Sequence, residues 1–254
     1  MRIAVCIKRV PITGGRILLT DDARAINTQH LGFTMSPHEE CGVEEAARII
    51  EANKGDSVVL TLGPPEAVEQ LRDAMALGID RAIHLQTDGT EWDGEATASA
   101  LLEAIRSDEA VNGPFDIIFF GNESADSGGF QVGIRVAHAL GRPCVTGLKK
   151  VTVQGASVRC EQEVEGGRDV YVVPLPAVLT VKEGLNLPRY PSVPGKMRAR
   201  SKPVAVSTPS RPASRLELVR LAIPAGQGRR AESLGSGAAA ATAVVEVLRK
   251  AGVL

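Results

Sequence analysis

The residue types best suited to chemistry gather at positions 121–129, where Asn122, Ser124, Asp126, Ser127, Gly128 and Gly129 combine short polar side chains with permissive backbone. Such a stretch suits anion binding. Small residues let backbone N–H groups converge, and a helix that follows adds the positive end of its dipole. The flanks agree: positions 117–120 form a short apolar run, as in a strand buried on both faces. Val132, Val136 and Leu140 then recur at helical spacing until Gly141 and Pro143 stop the helix. Taken alone, this strand–loop–helix joint serves phosphate binding and plain connection equally well, because glycines also make tight turns.

No nucleophile–base arrangement accompanies the joint. His30, His38, His84 and His138 are scattered, and packing or solvation accounts for them unless partners converge. The four cysteines, Cys6, Cys41, Cys144 and Cys160, show no metal-ligand spacing and read as reduced thiols of a cytoplasmic protein. Neither GxGxxG nor GxxxxGK[ST] occurs, so the standard dinucleotide and P-loop readings lose support.

The elements that must position the joint alternate. Positions 3–7 are a predicted strand. Ser36, Pro37 and Glu39 have the spacing of a capping box at a helix start, with Val43, Ala46, Ala47 and Ile50 as its buried stripe. Strands follow at 57–62 and 82–85. Helices are expected with Val68, Leu71 and Met75 inward, and with Ala98, Leu101 and Ile105 behind an Asp93 cap. Alternation with short joints predicts an α/β fold, a doubly wound and mostly parallel sheet whose ligands bind beyond the strand ends at the switch point. From 151 the pattern changes to an antiparallel ribbon around Gly155, Gly166 and Gly167. Positions 185–200 are expected to be an exposed loop. Positions 201–236, rich in Pro, Ser, Arg and Gly, read as an extended arm before a C-terminal helix with Val244, Val247 and Leu248. The expected division is 1–200 for the α/β domain, including a 186–200 docking loop, and 201–254 for an arm and helix that grip another chain.

Composition narrows the function. The 254 residues are 44% apolar and 23% charged, an ordinary balance for a globular protein. A net charge of −1 argues against a nucleic-acid surface. Nothing approaches a membrane span or a signal peptide.

Positions 172–203, VVPLPAVLTVKEGLNLPRYPSVPGKMRARSKP, resemble the signature region of electron transfer flavoprotein beta subunits, with Asn186-Leu187-Pro188-Arg189-Tyr190 as the most specific element. The resemblance extends to I-K-R-V at 7–10, to P-x-x-E-x-x-x-E-E-A from Pro37, to the run from Gly63 to Asp80, and to A-G-V at 251–253. It implies a heterodimer with an alpha subunit that carries most FAD contacts. The dimer would shuttle electrons from flavin dehydrogenases, of acyl-CoA type, to a quinone-linked acceptor. The beta subunit would be a carrier without catalytic residues or metal. It would hold AMP as a structural ligand or, in electron-bifurcating relatives, a second FAD in the same place. Carried over by position, the nucleotide contacts are Cys6, Ser36, Leu62 and Gly121, then Asp126, Ser127, Gly128, Gly129, Phe130, Gln131 and Val132. Thr13 and His38 stand near the flavin, where aromatic residues are common. Tyr190, Val193, Lys196 and Arg198 form the partner-docking loop. The loop GNESADSGG departs from the usual D-x-D-T form, which leaves AMP and FAD both open. The rival reading is a stand-alone adenine-nucleotide module.

Overall fold

The computed structural model describes residues 1–12, 14, 17–224 and 232–254. The chain enters with β1 (Arg2–Ile7), then a short antiparallel pair, β2 (Arg9–Pro11) with β3 (Phe33–Met35), before α1 (Pro37–Asn53). Next come β4 (Asp56–Gly63), α2 (Val68–Ala76), β5 (Arg81–Gln86), α3 (Gly94–Asn112) and β6 (Ile117–Gly121). α4 (Val132–Leu140) leads to β7 (Cys144–Gln154), β8 (Ser157–Val164) and β9 (Gly167–Pro174), and β10 (Ala177–Val181) returns to the centre. α5 (Val193–Ser201) and β11 (Val204–Ser207) follow.

One nine-stranded sheet results, in the order β11-β5-β4-β1-β6-β10-β7-β8-β9. All pairs from β11 to β7 are parallel, and β7, β8 and β9 close that side as an antiparallel meander. The expected doubly wound sheet with its ribbon is therefore present. In register, Val5 stands beside Val59 and Phe119, and Cys6 beside Leu60 and Phe120. Successive strand side chains point to opposite faces, so β1 feeds two cores. Ile3, Val5 and Ile7 pack with Val43 and Ala46 of α1 and Leu71 and Met75 of α2. Ala4 and Cys6 pack with Leu101 and Ile105 of α3 and Val136 of α4. A strand sandwiched in this way leaves little room for polar residues, which is why residues 3–7, 117–120 and 177–179 are all apolar.

Two local expectations changed. The proline-bearing stretch read as an exposed loop contains α5. Ser192 accepts the Gly195 N–H at 3.1 Å as its cap and Pro194 occupies the first turn, where a missing N–H costs nothing. Inside the expected arm, β11 pairs with β5 at the sheet edge. Met1–Val219 is one compact unit, and Arg220–Leu254 is another. The second unit contains α6 (Ala241–Lys250), which has no buried residue and exposes Val244, Val245, Val247 and Leu248.

Gly133 sets how closely α4 approaches the sheet. A Cβ there would lie 2.9 Å from Thr180 Cγ2 and 3.1 Å from Phe120 Cγ, inside contact distance. Gly133→Ala should therefore destabilise the fold by about 1–3 kcal/mol through overpacking, despite the better helix propensity of alanine. Urea denaturation checks this, and a change smaller than about 0.5 kcal/mol would show that α4 can shift freely.

Candidate functional site

The sheet changes winding direction at β1. The path from β1 through α1 and α2 moves toward β5, whereas β6 lies on the other side of β1. Beyond the carboxyl ends of β1 and β6 there is a crevice that no crossover helix fills. Lys8 follows β1 there, and residues 122–131 follow β6. A cavity of about 440 Å³ opens at this place, lined by Ser36, Pro37, His38, residues 123–128 and Glu183.

Lys8 organises the crevice. Its Nζ lies 2.8 Å from Asp126 and 2.7 Å from Glu91, so one ammonium ties β1 to the loop after β6 and to the segment before α3. Burial alone would lower its pKa, but Glu91 and Asp126 outweigh that and hold it above the ordinary value. Asp126 shows the converse: burial would raise its carboxyl, and Lys8 keeps it below the ordinary value. The segment carrying Glu91 is itself gripped from 208–216. Arg211 donates to the Glu91 carbonyl at 2.6 Å and stacks over Trp92, and Ser214 donates to the Asp93 carboxylate that caps α3.

Beneath the loop lies Glu39. The sequence reading gave it to a capping box, but Ser36 makes no side-chain cap, and Glu39 instead accepts the Lys8 N–H at 2.6 Å. Burial pushes its pKa up to about 8, against the lowering effect of that hydrogen bond and the Lys8 charge. At neutral pH the group is mostly protonated and adds little negative charge to the crevice. A Cβ at Gly121 would strike Glu39 Cγ at 2.7 Å, so glycine at the end of β6 is what admits this side chain.

The loop backbone turns sharply. Gly128 and Phe130 both have φ of 55°, and for phenylalanine this left-handed conformation is strained. Strain of this kind accumulates where backbone groups are aimed rather than merely connected. Ser127 and Ser124 pair through their hydroxyls at 2.8 Å. Gln131 is engaged with Arg135 at 2.8 Å and packs on Gly94.

Of the residues expected at the nucleotide, Ser36, Asp126, Ser127 and Gly128 line the cavity. Cys6, Leu62 and Gly121 stand at or near the ends of β1, β4 and β6, and the Cys6 thiol is buried and pushed far above its usual range by that burial. Residues 129–132 complete the loop into α4. His38 also lines the cavity. Its Nδ1 is buried without a hydrogen-bond partner, and burial keeps the imidazole below its ordinary pKa against the pull of Glu123 and Glu183. Thr13 lies outside the described residues. Lys8 and Glu123 fall within the strand ends expected at the switch point, at 6–8 and 121–129, but the sequence assigns neither a role; Glu39 and Glu183 are not expected there.

Tyr190, Val193, Lys196 and Arg198 are at a different place, on and before α5. Tyr190 is 97% and Val193 73% exposed, and Leu187 at 85% and Met197 at 66% join them as exposed apolar groups. Arg189, part of the most specific element of the resemblance, is bound to Glu44 and Glu51 of α1. Among the described residues no cluster of metal-ligating side chains occurs, and no helix is long and apolar enough to cross a membrane.

A mostly parallel sheet with a strained, cation-pinned loop at its switch point defines a doubly wound α/β architecture, whose ligand crevice lies at that point. The electron transfer flavoprotein domain family matches residues 24–212. The chain is 35% identical to the electron transfer flavoprotein subunit beta of Syntrophomonas wolfei, over 88% of its own length and 86% of that protein. It is 34% identical to the corresponding subunit of Bacillus subtilis, over 80% and 77% of the two chains, and 36% to that of Mycobacterium tuberculosis, over 81% and 78%. The chain belongs to the electron transfer flavoprotein family, as a beta subunit.

Glu39 makes the fold sensitive to alkali. A carboxyl whose folded pKa is raised favours the folded state fully below its unfolded value, near 4.5, and that contribution is lost as pH rises through about 8. The stability of the wild type relative to Glu39→Gln should thus decline between about pH 5 and about pH 9, by at most about 5 kcal/mol. Denaturation at a series of pH values reads the difference, and a pH-independent gap would mean that Glu39 is ionised throughout.

Proposed function

We propose that the chain works as the beta subunit of a heterodimeric electron carrier. An alpha subunit would hold most of the FAD, and residues 121–132 of the present chain would hold AMP as a structural ligand. The observation that carries this reading is the loop at the switch point. Its backbone turns at Gly128 and Phe130, while an added Cβ at Gly129 would meet no atom of the chain. Open space therefore faces a bend that leads into the start of α4, as phosphate binding requires. Lys8 offsets part of the acidic charge of the loop by pairing with Asp126, and burial raises the pKa of Glu39 to about 8.

When bound, FAD supplies the one- and two-electron chemistry. The part of this chain is to bind, orient and screen. His38, with its unpartnered Nδ1 in the cavity, is the described residue proposed to face the flavin. The source of electrons would be flavin dehydrogenases of acyl-CoA type, and their sink a quinone-linked acceptor. Docking falls to Tyr190 and Val193, helped by the exposed Leu187 and Met197, with Lys196 and Arg198 steering toward an acidic rim. The C-terminal segment expected from Ser201 onward would grip the alpha subunit. Because β11 and 208–216 are engaged within their own unit, that role is assigned to Arg220–Leu254, where α6 presents an uncovered apolar stripe.

The test is the identity of small molecules released on denaturing the co-purified heterodimer of wild type and Gly129→Val. Wild type should yield about one AMP and one FAD per dimer. The variant, whose new side chain occupies ligand space without touching the fold, should retain FAD and lose AMP. Two FAD and no AMP would assign the site to a second flavin, as in bifurcating relatives. Release of no adenine nucleotide beyond one FAD would overturn the nucleotide reading.

A further inference from the structure

The Asn186–Arg189 stretch is fastened along one face of α1. Asn186 Nδ2 donates to the Cys41 carbonyl at 3.0 Å and to Glu45 at 2.9 Å, and Arg48 donates to the Leu187 carbonyl at 3.1 Å. Arg189 completes the seam. Its Nε and Nη2 reach Glu44 at 2.9 and 3.1 Å, its Nη1 reaches Glu51 at 2.6 Å, and its own backbone N–H donates to Glu44 at 3.2 Å. Cys41, Glu44, Glu45, Arg48 and Glu51 recur at three- and four-residue spacing, so a single helix face carries all five.

Glu44 is the buried member, with 1% of its side chain exposed. Burial alone would raise its pKa, but the hydrogen bonds from Arg189 and Arg48 outweigh this and keep it ionised. A second anchor stands just beyond. Gly195 of α5 packs so closely on α2 that a Cβ would lie 2.6 Å from the Ala76 carbonyl, and Arg72 donates to the Ala199 and Lys202 carbonyls. Residues 190–192 therefore bridge two fixed points. Around this bridge stand the most exposed apolar side chains of the region, Leu187, Tyr190, Val193 and Met197.

We propose that Arg189, through its fork to Glu44 and Glu51, is a positioning residue for partner docking. It holds the 187–198 segment in the conformation that the redox partner meets, so little ordering remains to be done on association. A planar guanidinium suits the site because its fixed fork of N–H groups gives paired hydrogen bonds to Glu44 and to Glu51 together, a geometry that a lysine ammonium does not reproduce. The inference rests on the docking role proposed for Tyr190 and Val193, and its test separates the two.

The test compares heterodimers of wild type, Arg189→Lys, Glu51→Gln and Val193→Ala. Hydrogen exchange of 187–198 is measured together with reduction by an acyl-CoA dehydrogenase loaded with its acyl-CoA. In Arg189→Lys, exchange of 187–198 should rise about tenfold with the amides of α1 unchanged. The second-order rate constant for reduction should fall about fivefold, whereas flavin content and the rate at saturating dehydrogenase stay as in wild type. Glu51→Gln, which leaves the buried Glu44 contact intact, should show the same changes in smaller measure. Unchanged exchange in Arg189→Lys overturns the positioning role and leaves docking standing. Faster exchange with unchanged reduction also overturns it, and Val193→Ala then decides the rest: slower transfer in that variant preserves the docking site, and wild-type transfer removes it. Loss of flavin, or faster exchange throughout α1, would mean that Arg189 only supports the fold.

Discussion

The ammonium of Lys8 is the constraint on which the candidate site depends. The three segments it joins, the end of β1, the loop after β6 and the segment before α3, are distant in sequence. Lys8 pairs with Asp126 on one side and Glu91 on the other, and its own N–H is taken by Glu39. Its side chain is largely shielded from solvent, where ion pairs are screened far less than at an open surface. The arrangement also settles the local charge. The loop proposed to face a phosphate carries an aspartate, and Lys8 offsets that charge in part while also pairing with Glu91.

Helix α1 connects this centre to the docking region by packing alone. Its first turn contributes Pro37, His38 and Glu39 to the crevice, and its middle lies under both the sheet and the 186–189 seam. The apolar stripe of Val43, Ala46 and Ile49 faces the core, and Glu44, Arg48 and Glu51 lie on the face that holds Arg189. A single rigid element thus sets two places on the molecule in fixed relation. No conformational switch is needed to explain either.

Much of the architecture was legible because buried parallel strands leave plain traces. Positions 3–7, 58–60 and 117–120 are apolar without alternation, and that pattern has few other interpretations. Asp93 was legible as a cap because capping is local, and its carboxylate does accept from Glu95 and Ala96. What escaped notice depends on distant partners. Three prolines and a glycine concealed α5, since its stability comes from contact with α2 rather than from propensity. Glu39 at capping-box spacing was diverted by a backbone N–H across the crevice, which no local rule foresees. Nothing local marks Arg189 as an ion-pair centre, and only the fold brings two glutamates, well over a hundred positions earlier, beneath it. The glycine-rich loop was found from its composition, but its charge balance was invisible until Lys8 and Asp126 were seen together.

The proposed function stands or falls with Lys8 making the loop receptive to an anionic nucleotide by offsetting the charge of Asp126. Calorimetric titration of AMP into the nucleotide-stripped heterodimer addresses it, comparing wild type with Lys8→Gln at neutral pH and moderate salt. With the ammonium gone, Asp126 stands unpaired beside the phosphate, and affinity should fall at least about tenfold, or about 1.4 kcal/mol, with one site per dimer retained. Equal affinity in the two proteins would contradict the account, because the loop would then bind its ligand without the ion pair on which the site is built.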